Sequence, residues 1–437
     1  MKLNYKRTIL IGFAFLSICA FWQFYDNEIP KILKYTFGLG ETATGAIMAI
    51  DNVLALFMLP FFGMLSDKTG TKIGKRMPYI LTGTVLSVVF LYFLIGVAKE
   101  SGSLLIFIGV LLALLISMGI YRSPAVSLMP DLTPAPLRSS GNAIINLMGT
   151  LGGIYVLVMT KVLLKEASDP AQTDYMPFVI SIILCMIIAV GILFLTIKEN
   201  KIRKQIEEEG GLFSLGDELE EKENASSDKK NSSMPKAVEK SLVFLLVSVF
   251  LWYTAYNAVT TAFSRFVVEV WDLHNGAYAT CLLIATVAAT LSYVPIAIIS
   301  GKVGRKKTIL GGVLIMAFSY IAAGLFPSFS SYINICFALV GIGWAAINVN
   351  SYPMVVEMCK EGEIGKFTGM YYTFSMAAQV FTPVFSGFLL EHVSYKTLFP
   401  YAFIFSMLAF GTMLMVKHGD TRPDKKKNIL EHFDVDD

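Results

Sequence analysis

Ionisable side chains are scarce in this chain. Of 437 residues only 16% are charged, against 55% hydrophobic. A water-soluble core could not hide that much apolar surface, and a bilayer makes hiding it unnecessary. Histidine is held to 4 positions and cysteine to 5. Cys19, Cys185, Cys281 and Cys336 fall inside apolar runs without metal-ligand spacing, so neither a metal site nor a disulfide framework is expected. The net charge of +3 is small, and no basic surface interleaved with aromatics is present, which argues against nucleic acid as a partner. No glycine-rich phosphate loop, Ser-centred elbow or metalloprotease His pair occurs, so ATP drive and hydrolysis are not expected, nor is any cofactor. The acids stand apart in separate apolar runs, unlike the closely set pair that sugar hydrolysis needs. The composition is that of a membrane protein that is not an enzyme.

What is present is a series of twelve apolar runs, each long enough to cross a bilayer as a helix. They fall at about 8–29, 44–65, 78–98, 104–129, 139–162 and 176–196, and then at 241–264, 276–299, 308–326, 332–356, 367–390 and 396–416. The start, with Lys6 and Arg7 before an apolar run, imitates a signal peptide, but bulky Trp22, Phe24 and Tyr25 replace the small residues of a cleavage site, so a retained first helix is expected. Pro30 is expected to end that helix, and Ser139 or Ser140 to cap the fifth. The expected fold is all-α: an N-terminal six-helix bundle (1–197), a partly disordered cytoplasmic linker (198–240) with a short amphipathic helix, a C-terminal six-helix bundle (241–416) and a polar cytoplasmic tail (417–437).

Basic residues set the orientation. Lys6, Arg7, Lys68, Lys72, Lys75, Arg76, Arg138, Lys302, Arg305, Lys306, Lys307, Lys366 and Lys417 gather at one set of ends, while the other holds chiefly Lys31, Lys34, Lys99, Lys165 and Lys396. The positive-inside rule then places both termini in the cytoplasm and the chain in the cytoplasmic membrane. The halves echo one another: residues 63–78 form a basic turn holding one acid, 300–307 repeat it weakly, and Asp131 and Glu357 each close a fourth helix shortly before Arg138 or Lys366 opens the next. Repeated six-helix bundles suggest a transporter that rocks its halves about a midplane site. One chain carries both halves, so a monomer is the expected functional unit.

The turn 63–76, with Asp67 and Gly70 in its signature positions, resembles the loop between helices 2 and 3 of the major facilitator superfamily. Three further stretches resemble bacterial sucrose-transporter-like members related to the glycoside-pentoside-hexuronide:cation symporters. They are 22–30 (Trp-Gln-Phe-Tyr-Asp-Asn-Glu-Ile-Pro), 45–53 (Gly-Ala-Ile-Met-Ala-Ile-Asp-Asn-Val) and 74–80 (Gly-Lys-Arg-Met-Pro-Tyr-Ile). The sequence departs from the pattern at Met77, where a third basic residue is expected, and at Gly301, which replaces the acid in the second-half loop. The resemblance implies uptake of a glucoside-type sugar such as sucrose or maltose, with a proton as the usual co-substrate and sodium as the alternative. Export of another metabolite or drug, and a transporter-derived sensor or scaffold, stand as the competing readings.

Ionisable groups inside spans are costly unless paired or facing water, which singles out Asp26, Asp51 and Arg122, with Gln23, Asn27 and Asn52 beside the acids, as candidates for proton coupling and substrate binding. In the second half, Trp252, Tyr253, Tyr256 and Asn257, Asn348 and Asn350, and Tyr372 and Gln379 are cavity candidates, because sugars need hydrogen-bond partners together with an apolar face. Asp67, Lys68, Gly70, Lys75, Arg76, Asp131, Arg138 and Glu357 are the candidate cytoplasmic gate, and Arg265 and Glu269 read as an i,i+4 pair.

Overall fold

The computed structural model describes residues 4–133, 138–164, 170–208, 235–274, 276–358 and 364–420. Most of the expected linker, all of the tail beyond Asp420, and the side chains of Ser139, Ser140 and Arg138 lie outside the described residues. Among the described residues, twelve helices are long and apolar enough to cross a membrane. We label them α1 (Tyr5–Thr36), α2 (Glu41–Asp67), α3 (Met77–Lys99), α4 (Leu104–Asp131), α5 (Arg138–Leu163) and α6 (Met176–Thr196). The second six are α7 (Lys236–Trp271), α8 (Tyr278–Val303), α9 (Arg305–Gly324), α10 (Ile333–Glu357), α11 (Ile364–His392) and α12 (Tyr395–Leu414). No sheet occurs among the described residues, and a short helix, Glu199–Glu208, follows α6.

Backbone polar groups in hydrocarbon must be satisfied internally, and several helices show how this is met around prolines. α1 does not end at Pro30, as its sequence suggests; it continues and widens into a π-type turn over Ile32–Thr36. A widened turn redistributes the hydrogen bonds that proline interrupts, and neighbouring helices hold it in place. α2 is interrupted by a single turn residue, Ala49, between Glu41–Met48 and Ile50–Asp67. At the other end of α1, the Asn4 side chain accepts the Arg7 N–H at 3.1 Å.

Buried apolar side chains form two large cores. One draws on residues between Ile11 and Ile197, with Phe21, Phe24, Tyr121 and Phe178 at its centre. The other runs from Leu242 to Val416 around Trp252, Phe263, Tyr320 and Phe399, and takes in Leu157 from the first half. Phe57, Leu105, Leu195 and Leu291 remain largely exposed, as a hydrocarbon surrounding permits. The bundles meet through α2 with α11, α5 with α8, and α1 with α7. The first two contacts are counterparts under the repeat. At the α2–α11 crossing, Gly45 lies so close to the Pro383 carbonyl that any Cβ would overlap it.

Candidate functional site

α1 presents Gln23, Asp26 and Asn27 at offsets of three and four residues, hence on one face. That face meets Tyr256, Asn257 and Thr260 from α7, Thr286 from α8 and Tyr320 from α9 around a cavity of about 230 Å³, whose apolar wall is Val259, Leu282, Ala285, Phe337 and Val340. Tyr256 lies flat on the Trp344 ring, with centroids 3.8 Å apart and planes 4° from parallel, and Tyr253 meets the same indole edge-on at 5.1 Å. The Asn27 amide nitrogen donates to the Gln23 carbonyl at 2.7 Å. Its Oδ1 has no partner among the described residues, nor do Asn257 Nδ2 and the Tyr320 hydroxyl. Buried polar atoms without partners are costly, so a wall that presents three invites a ligand or water with complementary groups.

Asp51 and Arg122 meet in a smaller cavity of about 20 Å³ beneath Trp22, room for about one water. Asn52 donates its amide N–H to Asp51 Oδ1 at 2.7 Å. The Arg122 guanidinium sits 5.5 Å from the Trp22 ring centre. Asp51 and Arg122 are near enough to Asp26 to act on it electrostatically, and Arg122 acts likewise on Asp51.

The other second-half candidates are placed elsewhere. Trp252 is fully buried in the core. Asn350 is structural: Ser300 Oγ donates to its Oδ1, and its Nδ2 donates to the Ala346 carbonyl at 2.8 Å, pinning α10 to α8. Asn348 is buried on α10, Tyr372 joins Tyr352 and Tyr371 in a ring cluster, and Gln379 is half-buried on α11; none of the three lines the main cavity. One sequence pattern covered residues with quite different fates because four-residue spacing does not tell a cavity face from a packing face.

The candidate gate residues assemble within each bundle. Arg76 donates Nε to Asp131 at 2.8 Å, Nη1 to the Gly63 carbonyl at 3.1 Å and to Ser66, and Nη2 to Asp67. Lys75 Nζ lies 3.0 Å from Asp131. In the second half Arg305 pairs with Glu357. Lys68 stays exposed outside these clusters, and a Cβ added at Gly70 would meet nothing within 4 Å. Gly74 is the constrained glycine: its φ is +124°, and a Cβ would strike the Glu199 carboxylate. Glu199, which the sequence reading missed, is buried and accepts the N–H groups of Lys75, Arg76 and Met77 at 2.8, 3.1 and 3.1 Å, capping α3 where its dipole is positive. The second half repeats the device, with Asp420 accepting the Lys306 N–H at 2.8 Å. An acid soon after the last span of each half was the available signal.

Polar contacts between the bundles concentrate at the end away from the termini. Arg265 does not pair with Glu269 as its spacing suggests. It donates Nε to Glu41 of α2 at 2.8 Å, and Glu269 instead takes Lys34 Nζ at 2.5 Å and the Tyr35 hydroxyl at 2.9 Å. Tyr395 donates to Glu41, the Thr42 N–H donates to Glu391 at 2.8 Å, and Tyr278 donates to Glu28, which also pairs with Lys31 at 2.8 Å. Glu28, Lys31, Glu41 and Arg265 are all buried. Their tertiary partners, two hundred or more residues away in most cases, displaced the local pairing that sequence alone offered.

The Major Facilitator Superfamily model matches residues 11–291 and 245–433. An isoprimeverose transporter of Lactiplantibacillus pentosus is 23% identical over 309 residues, 69% of this chain and 59% of that protein. The ectoine/proline transporter ProP of Corynebacterium glutamicum is 27% identical over 202 residues, 45% of this chain and 38% of that protein. The matches thus span less than two thirds of either relative. The inward-open structure of the xylose transporter XylE from E. coli superposes with a TM-score of 0.67 at 14% identity, covering 98% of both chains.

Proposed function

This chain belongs to the major facilitator superfamily, and from that premise we propose that it carries a small, hydroxyl-rich polar solute of the sugar class by alternating access, coupled to a proton through Asp26 and Asp51. Its family and its span-length helices make it a multi-pass membrane protein of the major facilitator superfamily. The observation that carries this reading is that residues of both bundles lining one cavity each hold a buried polar atom without a partner among the described residues: Asn27 Oδ1 from the first bundle, and Asn257 Nδ2 and the Tyr320 hydroxyl from the second. A solute whose hydroxyls both donate and accept satisfies all three, and the exposed edge of the stacked Tyr256 offers an apolar neighbour. Among the described residues no cationic side chain lines this cavity, which disfavours anionic solutes. A ligand that bridges both walls also links their relative position to its own binding. We take the termini-bearing end, with its clustered Lys and Arg, as cytoplasmic, and the opposite end, joined across the bundles, as the closed outer mouth.

The test is uptake of labelled hexose, disaccharide and proline into proteoliposomes under imposed proton or sodium gradients, with an internal pH dye. We expect a sugar to accumulate with the proton gradient, and the double variant Asp26→Asn, Asp51→Asn to retain exchange of solute while losing gradient-driven accumulation. Full accumulation by that variant, inserted normally, overturns the coupling assignment. A second reading, export of a different small metabolite, draws its support from the spread of the relatives, one named for isoprimeverose and another for ectoine and proline. Gradient-driven movement of proline but of no sugar would establish it over the first.

A further inference from the structure

We infer that Trp22 is a positioning residue that holds the Arg122 guanidinium beside Asp51 and within electrostatic reach of Asp26, while leaving its N–H donors unspent. The inference rests on the coupling role proposed above for the two acids. Arg122 is half-buried at mid-span in α4, yet among the described residues it forms neither an ion pair nor a hydrogen bond. A cation in that position needs some anchor. The one the structure supplies is the indole of Trp22, whose ring centre lies 5.5 Å from the guanidinium carbon. Cation–π contact fixes the group by its flat face and consumes none of its donors.

The indole is itself held. Phe21 and Tyr25 meet it edge-on at 5.1 and 5.3 Å. Trp22, Asp51 and Arg122 are among the residues that line the cavity of about 20 Å³, space for one water and too little for a solute. The Trp22 Nε1 atom is buried without a partner among the described residues, so the ring's face, not its N–H, makes the contact with Arg122. The charged groups facing Arg122 are Asp51 from α2 and Asp26 from α1. An arginine tied to either acid by a short ion pair would be committed to that acid. Seated on the ring, it can be drawn toward whichever carboxylate carries charge, and that choice is what communication between the two acids requires.

Two measurements test this, one of them independent of transport. Phenylglyoxal modification of Arg122, read by peptide mass spectrometry in the purified protein, is expected to rise about tenfold in Trp22→Leu and to stay near the parental rate in Trp22→Phe, which keeps an aromatic face. In proteoliposomes, Trp22→Leu is expected to lower the ratio of proton-driven accumulation to solute exchange about tenfold. Arg122→Gln should do the same, and the double variant should be no worse than Arg122→Gln, because both changes remove one device. Unchanged phenylglyoxal reactivity in Trp22→Leu, an equal rise in Trp22→Phe, or additive loss in the double variant each overturns the inference. Wild-type protein that shows exchange without any gradient effect instead defeats the coupling reading, and the modification experiment still decides whether Trp22 holds Arg122.

Discussion

Neutralising Glu41 is expected to loosen the end at which the bundles are joined without harming either bundle. Glu41 is 3% exposed, takes Arg265 Nε at 2.8 Å and the Tyr395 hydroxyl, and stands 3.6 Å from Lys34 Nζ. Removing one partner of a buried pair costs roughly 3–5 kcal/mol, because a charge is left uncompensated. Here the loss is cushioned: Arg265 keeps the Thr261 carbonyl at 2.9 Å, and Lys34 keeps Glu269 at 2.5 Å. We therefore expect about 2 kcal/mol, a shift of about 30-fold in the equilibrium between joined and parted states. These contacts cross between bundles, so the cost falls on the joined state alone. The assay is the rate at which a membrane-impermeant maleimide, added at the joined end, modifies a cysteine placed at Thr286 in the cavity, with the native cysteines replaced. Glu41→Gln should raise that rate about 30-fold. Glu100→Gln should leave it unchanged, since Glu100 is 66% exposed beside Lys99 and exposed pairs contribute little. A Glu41→Gln rate within twofold of the parent, in protein of normal thermal stability, would refute the view that this network holds the bundles together.

Gly74→Ala should lower the melting temperature measurably, from about 1–2 kcal/mol of left-handed backbone strain together with displacement of Glu199, whereas Gly70→Ala, with open space around it, should not. Tyr256→Leu removes the ring stacked on Trp344 inside the cavity; it should raise the KM for solute exchange by about tenfold with a smaller change in maximal rate, read from exchange kinetics in proteoliposomes.

The architecture was legible because it depends on the length and apolarity of runs, which are properties of the sequence alone. All twelve spans are present, although α1 passes through Pro30 instead of stopping there. Asp26, Asp51 and Arg122 were legible for a related reason: charge inside hydrocarbon is conspicuous wherever it occurs. The network at the joined end was not. Lys34, Glu41, Arg265 and Glu269 stand near helix ends, where charge is ordinary, and their partners are chosen by how α1 and α2 approach α7 and α11. Local spacing offered Arg265 and Glu269 to each other, and the fold gave each a different partner.

The two ends of the molecule use charge in opposite ways, and the difference bears on how it can move. At the termini-bearing end, Arg76 with Asp131 and Glu199 at α3, and Arg305 with Glu357 and Lys306 with Asp420 at α9, tie each bundle to itself. Such ties survive any rotation of one bundle against the other. At the far end, Glu41 with Arg265, Lys34 with Glu269 and Tyr278 with Glu28 tie one bundle to the other and must break if that mouth is to open. Stiff halves and a breakable join are what a rocking motion requires. The Tyr278–Glu28 contact is the member of the join that lies beside the main cavity, since Glu28 follows Asn27, which lines it, and Ser264 donates to the Asn27 carbonyl at 3.1 Å across the same interface. A ligand that pulls on the Asn27 side chain therefore acts one residue away from the join, which gives occupancy of the cavity a short physical route to the contacts that close the mouth.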